Sequence, residues 1–372
     1  MINLQKQKFY KRRKNMKFVH IADMHFDTAF TTLDTKKNIG DLRRLEQRDV
    51  FKQIIEYIKQ EQIEYFFIAG DLYEQEYIRQ STIEYINNLF KTIPNTQIFI
   101  SPGNHDPFIQ NSFYAQFPWN NNVHIFSSKI EKISTQEADI YGFGFNDFYC
   151  KDCRLENLEI ENKNKLNILV IHGSIEGGSA ENTEYNPIKK SILQEKGFDY
   201  IALGHIHKTN FNTTENNNII YPGSTISFGF DELGKHGMIV GNLEKNQLEL
   251  NFIKLDNRIF QEINLDISNI FSEEELIEKL NELNLEENTE NKIILIGIRN
   301  FEIKINHILK LIQNEKIIKI KNATKIKYNL EEISKENNLR GIFVKELLKK
   351  LENEEYSKEE ILQAIEIGLS LI

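Results

Sequence analysis

The chain has little cysteine, little proline, a deficit of positive charge and no long apolar run. Among its 372 residues there are two cysteines, Cys150 and Cys153, spaced C-x-x-C. A structural zinc site asks for four nitrogen or sulfur ligands, and there is no second cysteine pair to supply them. Two cysteines give no disulfide framework either, which fits the cytoplasm. The surrounding FNDFYCKDCRLENL lacks the βαβ setting of a redox pair, so the two thiols read as loop or strand-edge residues. Lysine and arginine total 46 against 55 acidic residues, a formal net charge of −9. Such a chain exerts no overall pull on nucleic acid, so any nucleic-acid binding must come from local patches, metal ions or a partner. No apolar run is long enough to span a bilayer. The start, MINLQKQKFYKRRKN, is basic and lacks the apolar stretch of a secretory signal. Residues 1–15 read as a disordered basic tail ahead of Met16, and Lys11, Arg12, Arg13 and Lys14 as a solvated cluster.

What is present is an alternation. KFVHIA (17–22), YFFIAG (65–70), TQIFI (96–100), NILVIH (167–172) and YIALG (200–204) read as buried strands. Between the first two, Val50, Ile54, Ile55 and Ile58 share one face of a helix. A second helix covers 81–93, with Ser81 as its expected N-cap. From 219 to 255, IIYPG, GMIVGNLE and QLELNFIKL have the look of antiparallel strands around turns. This is α/β with a substantial β portion. Near residue 260 the character changes. SEEELIEKLNEL is a helix capped by Ser272, KIILIGI a strand, INHILKLIQ a helix, and KIIKIKNATKIKY a lysine-studded strand pair. Two amphipathic helices follow. The expected division is 1–15 tail, 16–258 main domain, 259–335 small capping domain, and 336–372 C-terminal helices.

Every one of the five predicted core strands is followed by residues that bind metals or move protons. After KFVHIA come Asp23 and His25; YFFIA runs into Gly70 and Asp71; TQIFI is followed by Gly103, Asn104, His105 and Asp106; NILVI ends in His172; YIAL leads to His205 and His207. Ligands bind at the carboxyl edge of α/β sheets, and packing alone does not ask for this pattern. Asp and His are first-row transition-metal ligands, and the two oxygens of Asp71 can bridge two ions. D-x-H and H-x-H spacing would place alternate side chains on one face of an extended segment, and the neighbouring glycines would let the backbone come close.

In order, DMH…GD…GNHD…H…GHIH resembles the full signature of the calcineurin-like metallophosphoesterases. MKFVHIADMHFDTAF, IAGDLYE, SPGNHDP and YPGSTISFGFDELGKHG are similar to the SbcD/YhaO branch, DNA repair exonuclease subunits that work with an SbcC- or YhaN-like ATPase. The resemblance implies a four-layer α/β/β/α sandwich. It implies that Asp23, His25 and His207 hold one metal, that Asn104, His172 and His205 hold a second, and that Asp71 bridges them. His105 would be a non-ligand that protonates the leaving oxygen or stabilises the transition state, with Asp106 orienting its ring. Ligation by nitrogen and oxygen without thiolate suits Mn²⁺, Fe²⁺ or Zn²⁺, and the family suggests Mn²⁺. Two divalent ions against two ligand carboxylates leave the site positive, which favours a phosphodiester. The branch implies 3′-to-5′ digestion of DNA, with endonucleolytic nicking as a further activity, and a homodimer whose face is not legible. Two departures stand out: Asp27 replaces a glycine common in other branches, and Glu74 stands where this branch often has Asp.

Three functions follow from this reading. The chain is a DNA nuclease subunit, a free-standing hydrolase of small phosphoesters, or a non-enzymatic docking scaffold for an ATPase. The block from 260 onward favours the first, and the intact ligand set argues against the third. Lys316, Lys319, Lys321, Lys325 and Lys327 read as a solvated strand face sooner than a DNA surface. Ile342, Phe343, Leu347, Leu348 and Leu351 mark an apolar side of the C-terminal helices that either packs on the body or docks a partner.

Overall fold

The computed structural model describes residues 15–30, 39–150, 154–175, 185–215, 217–326, 328–353 and 355–371. The basic cluster at 11–14 and Cys153 lie outside these residues, while Cys150 is buried. The chain divides into two compact units, one ending at Phe260 and the other starting at Gln261.

In chain order the first unit holds β1 (Met16–Ile21), α1 (Ile39–Gln60), β2 (Tyr65–Ile68), α2 (Gln80–Lys91), β3 (Gln97–Ile100), α3 (Phe113–Gln116), β4 (Val123–Ile125), β5 (Glu131–Ser134), β6 (Ala138–Phe143), β7 (Leu166–His172), α4 (Lys190–Lys196), β8 (Tyr200–Gly204), β9 (Ile219–Ile220), β10 (Gly237–Glu244) and β11 (Gln247–Lys254). Two sheets form from them, in the orders β11-β10-β1-β2-β3-β4 and β5-β6-β7-β8-β9. The runs β1-β2-β3-β4 and β6-β7-β8-β9 are parallel. Parallel strands are covered on both faces, which is why β2 and residues 168–171 of β7 read as unbroken apolar runs, and both strands are buried throughout.

The inner faces of the two sheets pack on each other. Phe18, Tyr65, Phe67 and Phe99 from one meet Ile140, Ile168, Val170 and Tyr200 from the other. Phe67 lies in the middle of this layer, and its truncation to alanine would cost about 3–5 kcal/mol. On the outer face of the first sheet, Phe66 meets Phe90 of α2, which in turn meets Phe51 of α1. On the outer face of the second, Leu169, Ile171, Ile201 and Leu203 pack with Leu193 of α4. The order of layers is α/β/β/α.

Local readings that differ have physical reasons. Ser81 is inside α2, whose N-cap is Arg79 with no side-chain cap; Asp27 instead accepts from the Arg79 N–H and the Thr82 hydroxyl. The segment IIYPG is not antiparallel: β9 is a two-residue parallel edge beside β8, while β10 and β11 form the hairpin that joins β1.

The second unit takes in β12 (Ile259–Asp266) from Gln261 on, then α5 (Glu273–Asn281), β13 (Thr289–Ile296), β14 (Ile298–Arg299), α6 (Ile305–Leu311), β15 (Ile317–Asn322), β16 (Lys325–Ile326), α7 (Leu330–Ile333), α8 (Leu339–Glu352) and α9 (Lys358–Leu371). Ser272 does cap α5, accepting from the Glu275 N–H at 3.2 Å. Leu276, Leu280 and Ile308 of the helices pack on Ile293, Leu295, Ile317 and Ile320 of the sheet β12-β13-β15. The lysine-rich strands do not pair with each other: β15 pairs with β13, and β16 with β14. Lys319, Lys321 and Lys325 are exposed, Lys316 donates to the Leu285 carbonyl, and Lys327 lies outside the described residues. Phe343, Leu347, Leu348 and Leu351 pack with Val344, Ile361, Ile365 and Leu369 into a separate helical core. Ile342 points out of it, 58 % exposed.

Candidate metal centre

The carboxyl ends of β1, β2, β3, β7 and β8 deliver their polar residues to one place. The loops beyond them are tied to each other by backbone bonds: Asp23 N–H to the Gly70 carbonyl at 3.1 Å, His25 N–H to the Asp71 carbonyl at 2.8 Å, and Gly173 N–H to the Gly204 carbonyl at 3.2 Å. The expectation of extended D-x-H geometry does not hold. Asp23, His25 and Asp71 have φ of 52°, 48° and 51°, and His205 has 100°. Asp and His tolerate the left-handed region better than most residues, and its cost is characteristic of functional sites. Gly103 acts through space rather than by bending: a Cβ there would lie 2.2 Å from Asp71 Oδ1. At Gly70, φ +85°, a Cβ would collide with the His172 ring.

Among the described residues three overlapping clusters result, one of which joins His105 to His25 and Asp71; the other two hold the expected ligands. In one of these two, His25 Nε2 and His207 Nε2 lie 3.2 Å apart, with Asp71 Oδ2 3.7 Å from the former and Asp23 Oδ1 3.9 Å from the latter. In the other, His172 Nε2 is 3.3 Å from Asp71 Oδ2 and 3.0 Å from Asn104 Oδ1, and His205 offers a nitrogen within 4.8 Å of the Asp71 and His172 ligand atoms. All seven expected ligands are therefore brought together, and all but His205 and His207 are buried.

The other ring nitrogens settle which atoms face inward. Glu74 Oε1 accepts from His25 Nδ1–H at 2.7 Å, the Ala69 carbonyl from His172 Nδ1–H at 2.9 Å, and Glu232 from His207 Nδ1–H. In the neutral ring each Nε2 is then an acceptor. Imidazole nitrogens and carboxylate oxygens converge within 4 Å, an arrangement that protons or cations hold together. In the absence of metal the rings carry those protons. Burial opposes charge on His172 and His207, yet Asp71 lifts the first and Glu232 with Asp23 the second to about 9. Burial raises the Asp23 carboxyl. It would raise Asp71 too, but His172 and His25 hold that carboxyl well below the usual range. His205 is pushed down to about 3 by burial and by His172, so it stays neutral. A nitrogen and oxygen donor set of this kind fits two divalent ions.

The orienting residues differ from expectation. Asp106 does not hydrogen-bond to the His105 ring. Its carboxylate clamps the loop from within, accepting from the N–H groups of Gly103, Asp71 and Leu72 and from the Tyr114 hydroxyl. Burial and the Asp71 charge raise its pKa to about 7. The carboxylate on His105 is Glu74, whose Oε2 lies 2.8 Å from His105 Nδ1. Burial disfavours charge on His105, whose side chain is 45 % exposed, but the Glu74 bond and the Asp71 charge raise it to about 9. Glu232, which also accepts from Ser224, lies within the YPGSTISFGFDELGKHG stretch, but nothing in that stretch ties it to His207.

The family model for calcineurin-like phosphoesterases matches residues 16–209. The uncharacterized metallophosphoesterase YhaO of Bacillus subtilis is 25% identical over 263 residues, 68% of this chain and 64% of that protein. The SbcD component of the nuclease SbcCD from Staphylococcus epidermidis is 29% identical over 270 residues, 63% of this chain and 67% of that protein. These matches span about two thirds of the length of each relative. Among solved structures, the GAP50 anchor in the inner membrane complex of Plasmodium aligns with a TM-score of 0.38 and 14% identity over 64% of this chain and 84% of that one, too loosely to bear on fold or function. Among the described residues no helix is long and apolar enough to cross a membrane.

Proposed function

The chain belongs to the calcineurin-like phosphoesterase family, and from that premise we propose that it is a two-metal phosphodiesterase acting on DNA, the nuclease component of an assembly with an SbcC-like ATPase. Asp23, His25, His207 and Asp71 would hold one divalent ion, and Asp71, Asn104, His172 and His205 the other, with Mn²⁺ the expected metal. When bound, the ions supply Lewis acidity and the positive charge that a phosphodiester and its transition state need. The observation that carries the reading is the convergence of imidazole nitrogens and carboxylate oxygens around Asp71, with His25 Nε2 3.2 Å from His207 Nε2 and His172 Nε2 3.3 Å from Asp71 Oδ2.

The protein's own groups do the rest. His105 keeps a proton at neutral pH and would donate it from Nε2 to the departing oxygen, as a general acid worth about 10²–10⁴ in rate. Glu74 fixes that ring through Nδ1. Asp106 holds the loop that carries Asn104 and His105 against Asp71 and Leu72. DNA as the substrate is supported by the likeness to SbcD, part of a nuclease, and the ATPase partner by that relative's place in the SbcCD complex.

The test is a fluorescent DNA oligonucleotide incubated with Mn²⁺ beside a chromogenic phosphodiester, with His207→Ala as the blank. The reading expects both to be cleaved by the wild type and neither by the variant. Cleavage of the ester alone, with or without the ATPase, would move the substrate to a small phosphoester.

A further inference from the structure

Glu74 spends both oxygens of one carboxylate on two histidines with different duties. Oε1 lies 2.7 Å from His25 Nδ1, and Oε2 lies 2.8 Å from His105 Nδ1. The two rings meet edge-on, centroids 4.7 Å apart at 82°. The backbone is fixed to the same two loops: Glu74 N–H bonds to the Phe26 carbonyl at 3.0 Å, and Gln75 N–H to the His105 carbonyl at 2.9 Å. The side chain is only 14 % exposed, so little water competes for its oxygens.

A carboxylate is planar, and its two oxygens move together. If His25 swings away from the first ion site, the Glu74 oxygens turn with it and the His105 ring loses its support. If His25 is drawn inward by a cation, the second oxygen is presented to His105 with its Nε2 facing the site. We propose that Glu74 is a positioning residue that couples loading of the first ion site, through His25, to the placement of the proton donor His105. This rests on the phosphodiesterase reading above and adds the coupling to it. The coupling has a sense: filling the first site firms the hold that Glu74 already has on the acid.

Glu74→Gln tests it, because the amide keeps the shape but offers one acceptor and one donor, and so holds one Nδ1–H and not both. Three results are expected. Mn²⁺ affinity, measured by calorimetry, falls about 10–100-fold, the usual effect of losing the partner of a ligating histidine. At saturating Mn²⁺, kcat falls at least about tenfold for phosphodiesters with poor leaving groups, within the range of a lost general acid, and much less for the p-nitrophenyl ester. His105→Ala shows the same leaving-group signature with Mn²⁺ affinity kept, and the double variant is no slower than His105→Ala alone, since the two act as a unit. A merely structural Glu74 would lower affinity or melting temperature without changing leaving-group sensitivity, and multiplicative effects in the double variant would equally overturn the coupling. A second measurement does not depend on turnover. In ¹⁵N-histidine NMR with Zn²⁺ as a diamagnetic probe, the His105 ring should shift on loading in the wild type and stay unmoved in Glu74→Gln. If no ester is cleaved, the phosphodiesterase reading fails while this NMR comparison still decides the coupling. A His105 ring equally responsive in both proteins sinks it.

Discussion

The two halves of the centre are built from different materials. In the first, Asp23 contributes a carboxylate, and both histidines are backed by further carboxylates, His25 by Glu74 and His207 by Glu232. In the second, Asn104 is neutral, His172 is backed by the Ala69 carbonyl, and His205 lies against the Tyr185 ring at 5.1 Å. Among the described residues only the shared Asp71 brings a ligand carboxylate there. The difference teaches that the halves are not interchangeable. The first should take a divalent ion tightly, whereas the second should depend on Asp71 and hold its ion more weakly.

Removing the shared residue should have the largest effect. Asp71→Asn takes charge from both halves and should lower hydrolysis on the order of 10³-fold, several kcal/mol of transition-state stabilisation; retention of two ions at wild-type affinity would break the comparison. Next comes Glu232→Gln. It should weaken the first half about 10–100-fold and leave the second untouched, seen as a change in only one of two steps in a calorimetric titration. Gly103→Ala should be smaller. Its Cβ would press on Asp71 Oδ1, so the loop must yield at a cost of about 1–3 kcal/mol, read from thermal melting.

A further effect, of a size with that of Gly103→Ala, is one of pH. In the metal-free protein His172 titrates at about 9, above its ordinary value of 6.5. Its proton therefore stabilises the fold fully below pH 6.5, and that contribution is lost as pH rises through 9, by at most about 1.4 kcal/mol per pH unit. A cation takes the proton's place, so its benefit runs the other way. The rise in Tm on adding Mn²⁺ should be larger at pH 8.5 than at pH 6.5. An equal rise at both would mean that no proton leaves His172 on binding.

The candidate ligands were legible because their signal is local. Asp23, His25, Asp71, Asn104, His172, His205 and His207 each follow an apolar run that has no other reason to end in a metal-binding side chain. The sheets were legible for the same reason, through runs such as YFFI and LNILVIH that are buried on both faces. Their supports were not. Glu74 is 49 residues from His25 and 31 from His105, and Glu232 is 25 from His207; a lone acidic residue in a loop carries no mark of the ring it will meet. Asp106 misleads for the opposite reason. Its neighbour in sequence is His105, but the chain turns so that its carboxylate faces the backbone of Gly103, Asp71 and Leu72. Spacing also misleads at Asp23 and His25, where proximity comes from left-handed backbone and not from the pleat of a strand.

The claim that most needs testing is that these nitrogens and oxygens converge on two cations. Crystals grown with Mn²⁺ and measured at its absorption edge give the answer in an anomalous difference map. The account predicts two peaks, one among Asp23, His25, His207 and Asp71 and the other among Asp71, Asn104, His172 and His205, with His105 bound to neither. A single peak, or a peak ligated by His105, would contradict it.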